Sequence, residues 1–72
     1  MNKEIAIRTE IIELDAFLKF AGLCMTGGEA KIRIHSGKIS VNGAVCTQRK
    51  KKLRPGDRVT VQKDTYTVVG KS

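Results

Sequence analysis

The spacing of apolar residues changes along this chain, and each change marks a new element. In residues 3–8, Ile5 and Ile7 alternate with Glu4, Ala6 and Arg8, the two-residue period of a short strand. From Glu13 onward Leu14, Phe17, Leu18 and Ala21 recur at i, i+3, i+4 and i+7. That spacing predicts a helix of about two turns with one buried stripe. Glu13, Asp15 and Lys19 fall toward its other, solvent side, and Gly22 closes it. Thr26-Gly27-Gly28-Glu29 has the form of a capping box. The threonine hydroxyl would accept from the backbone of Glu29 while the glutamate reaches back to the cap. A second helix is predicted from about Gly28 to Ser36, stopping at Gly37. Its Ala30 and Ile34 face the first helix, and the small alanine allows close approach.

Strand patterns follow at once. Ile39 to Cys46 carries Asn42-Gly43 between two β-prone runs, a strong hairpin signal. Gln48-Arg49-Lys50-Lys51-Lys52 is too polar for a core, Leu53 should anchor it, and Arg54-Pro55-Gly56-Asp57 reads as a turn. Arg58–Gln62 and Thr65–Gly70 are two further strands, joined near Lys63-Asp64. The fold class expected is α+β: two short packed helices against a small, mostly antiparallel sheet. Residues 1–72 suit a single domain, with no linker, repeat or low-complexity tract.

Charge adds the first functional information. The net charge is +7, and it is segregated. Residues 1–29 hold three Lys or Arg against five carboxylates, whereas residues 30–72 hold eleven against two. Such asymmetry creates a one-sided positive field that attracts polyanions. The charges that interrupt the N-terminal apolar run argue against a signal peptide, and no stretch reaches the roughly 20 apolar residues of a membrane span. A cytoplasmic protein without membrane association is expected. Cys24 and Cys46 have no second Cys or His at ligand spacing, so they read as small hydrophobes, and neither a metal nor a cofactor is expected. With one histidine and no Ser/His/Asp set or spaced carboxylate pair, the chain is not expected to be an enzyme. A sulfur carrier would need a Gly-Gly terminus where this chain has Gly70-Lys71-Ser72.

Four ordered blocks then carry a resemblance. Leu14-Asp15-x-Phe17-Leu18-x-x-Ala21-Gly22-Leu23 is followed by Thr26-x-x-Glu29-Ala30-Lys31, by Gly37-Lys38-Ile39-x-Val41-Asn42-Gly43, and by Leu53-x-Pro55-Gly56-Asp57-x-Val59-x-Val61. Over about residues 12–62, with flanking strands at 3–8 and 65–70, the chain resembles the S4 RNA-binding domain, and within it the free-standing bacterial YaaA/YbcJ-like subfamily. The resemblance implies the αL motif, which presents the second helix and the following strand and loop to structured RNA. It also implies a bacterial, translation-related or ribosome-associated setting. In larger relatives other domains carry any catalysis, so no activity is inherited. Four positions depart from the family pattern: Glu13 stands where a cation is common, Thr26-Gly27 where Ser-Arg is common, and Arg33 where a large apolar residue is common. These departures move the expected contacts toward Lys31, Lys38 and the 49–54 loop.

The candidate RNA-binding residues are Thr26, Gly27, Gly28, Lys31, Arg33, His35, Lys38, Asn42, Arg49, Lys50, Lys51, Lys52 and Arg54. Thr26 to Gly28 would expose the unpaired amides of a helix start to a phosphate. Lys31 and His35 are i, i+4 neighbours, with Lys38 just beyond. The 49–54 cluster, held beside the second helix, would extend the same positive surface. Stacking is poorly served, because the aromatics are only Phe17, Phe20 and Tyr66 and just Phe20 has a prospect of exposure. The partner expected is structured RNA, such as ribosomal RNA or tRNA, bound by a monomer through shape and backbone. The alternative is a ribosome- or assembly-associated module that offers the same surface to an acidic protein.

Overall fold

Each helix ends on a glycine with positive φ, and these two stops set the path of the chain. In the computed structural model, which describes residues 2–70, the order is β1 (Asn2–Ala6), β2 (Ile12–Glu13), α1 (Leu14–Phe20), α2 (Gly27–His35), β3 (Ile39–Val41), β4 (Ala44–Val45), β5 (Lys52–Leu53), β6 (Arg58–Val61) and β7 (Asp64–Val69). The Lys71-Ser72 part of the C-terminal reading, like Met1, lies outside the described residues. After α1, the Gly22 amide donates to Lys19 O at 3.0 Å and the Leu23 amide to Leu18 O at 2.9 Å. After α2, Gly37 donates to Ile34 O at 3.1 Å and Lys38 to Arg33 O at 3.4 Å. Both are the paired closing bonds that a left-handed residue permits, and both glycines have φ of 78°.

The five-stranded sheet has the order β1-β7-β6-β3-β4, antiparallel except for the β1–β7 pair. Ile39, Val41, Val59, Val61, Tyr66 and Val68 alternate onto its inner face, where they meet Leu14, Phe17, Leu18, Ala30 and Ile34 from the helices. Ala30 and Ile34 are fully buried, as their spacing predicts. Ile7, Cys24 and Leu53 complete the core, and the cysteines are free thiols.

Four sequence expectations need correcting. Asp15 is buried rather than turned to solvent. The Glu29 carboxylate reaches past the cap and accepts from the Met25 amide at 2.8 Å, although Thr26 Oγ1 does accept from the Glu29 amide at 3.1 Å. The last two strands join at Gln62-Lys63, one residue early, with Gln62 at φ 58°. Finally, the end of the polar 48–52 run forms strand β5, paired with β2 in a separate two-stranded sheet.

The Asn42-Gly43 turn does more than reverse the chain. Asn42 takes φ 53°, its Oδ1 accepts from the Arg58 amide at 2.9 Å, and its Nδ2 donates to Asp57 Oδ1 at 3.1 Å. Asp57 Oδ2 in turn accepts from the Arg54 amide at 2.8 Å, so the hairpin tip is tied to the 54–57 turn. Asn42→Gly keeps the left-handed turn but removes both side-chain bonds, with an expected loss of about 1 kcal/mol. Asn42→Ala should lose roughly 1–2 kcal/mol more, because alanine is strained at positive φ. Urea unfolding checks this order, and three equal midpoints would exclude the brace.

Candidate nucleic-acid interface

The basic loop is built onto the start of α1. Glu13 is the N-cap residue, but its side chain makes no capping bond. The first-turn amides find other acceptors: Leu14 donates to Lys51 O at 2.8 Å, Asp15 to Arg49 O at 3.1 Å, and Ala16 to Asp15 Oδ1 at 2.7 Å. Two consecutive unpaired helix donors are thus satisfied by carbonyls of the cationic loop itself. The side chains close the same joint. Asp15 Oδ2 lies 3.1 Å from Lys50 Nζ and 3.5 Å from Arg49 Nε, and Glu13 Oε1 lies 3.4 Å from Lys50 Nζ.

This arrangement divides the cation run by role. Arg49 is half-buried and Lys50 exposed, yet both are paired with Asp15, and Glu13 beside Lys50 supplies the second negative charge. Lys51, Lys52 and Arg54 are exposed, and no carboxylate side chain pairs with them among the described residues. Arg54 is held in place through its amide by Asp57, and Leu53, fully buried, anchors the strand between them. Two consecutive lysines and an arginine therefore project from backbone fixed at both ends.

The second cationic element is α2. Ala30 and Ile34 point inward, which leaves Gly28, Lys31, Ile32 and His35 exposed on the outer side and Arg33 half-buried at its flank. Ile32 is 71% exposed in the middle of this basic surface. The helix period contains the signal: a residue two positions from Ala30 and two from Ile34 is turned about 200° from either and cannot share their stripe. At the helix start, a Cβ added to Gly27 would meet nothing within 4 Å, and one added to Gly28 only Thr26 Oγ1 at 3.9 Å. Neither glycine has positive φ. Packing and backbone conformation therefore do not require glycine at either position, and its effect is to leave the helix start bare.

The edge strand β4 links the two cationic elements. A Cβ on Gly37 would sit 3.8 Å from Val45, so the exit of α2 borders β4. On the other side Val45 shares an open hollow of about 300 Å³ with Asn42, Gln48 and Lys51. The loop itself rests on α1, and it is β4 that lies between it and the end of α2. Asn42, a candidate contact, has both side-chain polar atoms engaged in the brace to Asp57 and Arg58. The sequence reading did not single out Arg58, which lines a polar hollow with Asn42, Gly43, Thr60 and Thr65. Of the three aromatics, Phe17 and Tyr66 are buried and Phe20 is 55% exposed, alone at the end of α1. Among the described residues no group of three His, Cys, Asp or Glu side chains could hold a metal ion, and no helix is long and apolar enough to cross a membrane.

Fold and site together define a small α+β module with two short helices, a mostly antiparallel sheet and a structured cationic strand-loop. The chain belongs to the S4 domain family, whose model matches residues 5–69. It is 37% identical over 62 residues to a Bacillus subtilis protein named "Probable ribosome maturation protein RlbA", covering 86% of this chain and 87% of that one. It is 36% identical over 58 residues to YbcJ of Escherichia coli K12, covering 81% and 83%. The solution structure of E. coli YbcJ, described as revealing an αL motif involved in RNA binding, matches with a TM-score of 0.64 and 31% identity, over 94% of this chain and 85% of that one. The fold is therefore the αL arrangement expected from the sequence.

Two titrating groups report on this architecture. The Lys50 ammonium is held above the usual lysine range, first by its hydrogen bond to Asp15 and then by the charges of Asp15 and Glu13. Burial pushes the Cys24 thiol up, opposed by the charge of Arg33 and aided by that of Glu29. Both groups hold their proton more tightly folded than unfolded. Their stabilising effect is complete below the unfolded values, about 8.5 for the thiol and about 10.4 for lysine, and fades as pH rises through the folded ones. The stability difference between wild type and Lys50→Met should accordingly shrink as pH is raised through the lysine range. A difference that stays constant in urea titrations from pH 9 to 11.5 would show that Lys50 makes no proton-linked contact in the fold.

Proposed function

We propose that this protein binds structured RNA and performs no chemistry of its own, using α2 with its exit and the 49–54 loop as one basic surface. The observation that carries this reading is the fixed loop. Lys51, Lys52 and Arg54 project from backbone that is hydrogen-bonded to α1 at one end and to Asp57 at the other. An unstructured lysine run must lose conformational freedom when it meets a phosphate backbone, whereas a pre-formed one has already lost it. Lys31, His35 and Lys38 would track phosphates along α2, and the bare start at Thr26, Gly27 and Gly28 would admit one to the helix amides. Ile32 would lie against ribose or base edges between those contacts. The shortage of exposed aromatics favours readout of RNA shape and backbone over base stacking.

The names and descriptions of the relatives support RNA as the partner, and that of the Bacillus relative makes ribosomal RNA the first substrate to test, with tRNA next. Cytoplasmic, monomeric action fits this reading. Docking of the same surface on an acidic protein of an assembling ribosome is the competing outcome.

Titration of a purified RNA hairpin over a range of salt concentrations separates them. Lys51→Glu/Lys52→Glu should weaken hairpin binding and reduce the slope of log K against log salt by about 1–2, because each lost phosphate contact releases fewer counterions. Hairpin affinity that is unchanged by the double reversal would remove the loop from the interface and favour the protein-docking alternative. A second variant tests the helix start. Gly28→Ala should stabilise the fold by up to about 1 kcal/mol, since glycine is a poor helix former, yet weaken hairpin binding. Higher stability with undiminished affinity would show that the bare amides are not used.

A further inference from the structure

Three residues from three parts of the chain meet where α2 ends against the sheet. Arg33 comes from the last turn of α2, Lys38 from the residue after Gly37, and Gln62 from the turn between β6 and β7. With Ile39 and Val61 they line a hollow of about 160 Å³. We propose that this hollow is a binding pocket for a single phosphate group, held by the Arg33 guanidinium, the Lys38 ammonium and the Gln62 amide.

Four observations support the assignment. Arg33 and Lys38 have no carboxylate within ion-pair distance among the described residues, in contrast to Arg49 and Lys50. Two residues with unneutralised cations thus border one hollow, where a bound anion would offset their charge. The apolar lining is deeply buried, with Ile39 0% and Val61 8% exposed, which strengthens charge interactions above it. The size also discriminates. Pockets that take whole small molecules run to about 300–1,000 Å³, so a hollow of about 160 Å³ suits an anion and not a nucleoside.

The fourth observation is the glutamine. Gln62 adopts φ 58° in a two-residue turn, where glycine would carry no strain. Retaining a side chain there has a conformational cost, and Gln62 is one of the residues that line the hollow. The donor set is chemically suited to phosphate: a planar fork from arginine, a point charge from lysine and a neutral amide N–H. The carbonyls of Ile32, Arg33 and Ile34 already accept from Ser36, Lys38 and Gly37.

The phosphate could belong to an RNA chain or be free in solution. The inference rests on the RNA-binding reading only in the first case, and two measurements separate the sources. The first titrates inorganic phosphate against chloride at constant ionic strength and follows the NMR signals of the whole protein. Changes should be confined to Arg33, Lys38, Ile39 and Gln62, and absent from Lys31, Lys51 and Lys52. The second compares hairpin binding by wild type, Arg33→Gln, Lys38→Gln and the double variant. Because both cations would share one phosphate, the double change should lower the salt slope by no more than about 0.7–0.9, the loss of one contact. Two independent contacts would instead give about twice that loss in the double variant.

A confined response to inorganic phosphate with hairpin binding indifferent to the variants supports a pocket for free phosphate. Non-additive slopes support an RNA phosphate. Additive slopes together with phosphate-induced changes spread over all the lysines, or absent, would overturn the pocket while leaving RNA binding intact. If wild type bound no hairpin at low salt, the RNA reading would fail and the inorganic phosphate titration alone would decide the pocket. Urea midpoints close to wild type establish that the variants fold, and the phosphate titration of the unmodified protein needs no variant.

Discussion

The carboxylate of Asp15 is the contact on which the arrangement of this molecule turns. One of its oxygens accepts from the Ala16 amide, and the other is gripped by Lys50 and Arg49. A buried carboxylate needs such partners, because an ionised group taken from water without them destabilises a fold by several kcal/mol. Here the partners arrive from a distant segment, whose backbone carbonyls also take the amides of Leu14 and Asp15. A helix start, a two-stranded ribbon and a lysine cluster are thereby joined into one structural unit. Positive charge beside a helix N-terminus is ordinarily unfavourable. The joint tolerates it because Glu13 and Asp15 stand between the loop and the helix.

That joint gives a run of similar residues unequal roles. Arg49 and Lys50 are spent on structure, while Lys51, Lys52 and Arg54 remain outward. If this surface meets a polyanion, as proposed, it gains from this division. Repulsion among adjacent lysines is partly cancelled internally, and the cations left over keep fixed positions. The glycines at the start of α2 show the same preference, since alanine would fit there without a clash and with better helix propensity. Part of the stability that a chain of this size can reach is given up where a ligand would approach.

Much of the fold was legible because its punctuation is local. Gly22, Gly37, Asn42-Gly43 and Pro55-Gly56 mark chain reversals, and the residues between them keep clear periods. The buried stripe of Leu14, Phe17 and Leu18 and the Ala30–Ile34 pair follow from spacing alone. Pairings over long distances were not legible. Strands β2 and β5 have two residues each, too few for any period, and the parallel β1–β7 contact joins the two ends of the chain. Asp15 was misplaced for the same reason. It sits at the edge of the apolar stripe, where a carboxylate normally faces water, and nothing within the helix announces the cations that come back to cover it. For the proposed surface, the cluster of cations was legible in the sequence and its pairing with carboxylates was not. Sequence identifies a cluster of cations, but which are neutralised depends on where Glu13 and Asp15 lie after folding.

Amide ¹⁵N relaxation of the free protein tests this account most directly, because it asks whether the lysine segment is part of the folded body before any ligand arrives. Backbone order parameters for residues 49–52 should stand near 0.85, level with those of the helices. Values below about 0.6 across that segment would mean that the buried carboxylate does not hold it, and the pre-formed basic surface would be lost with it.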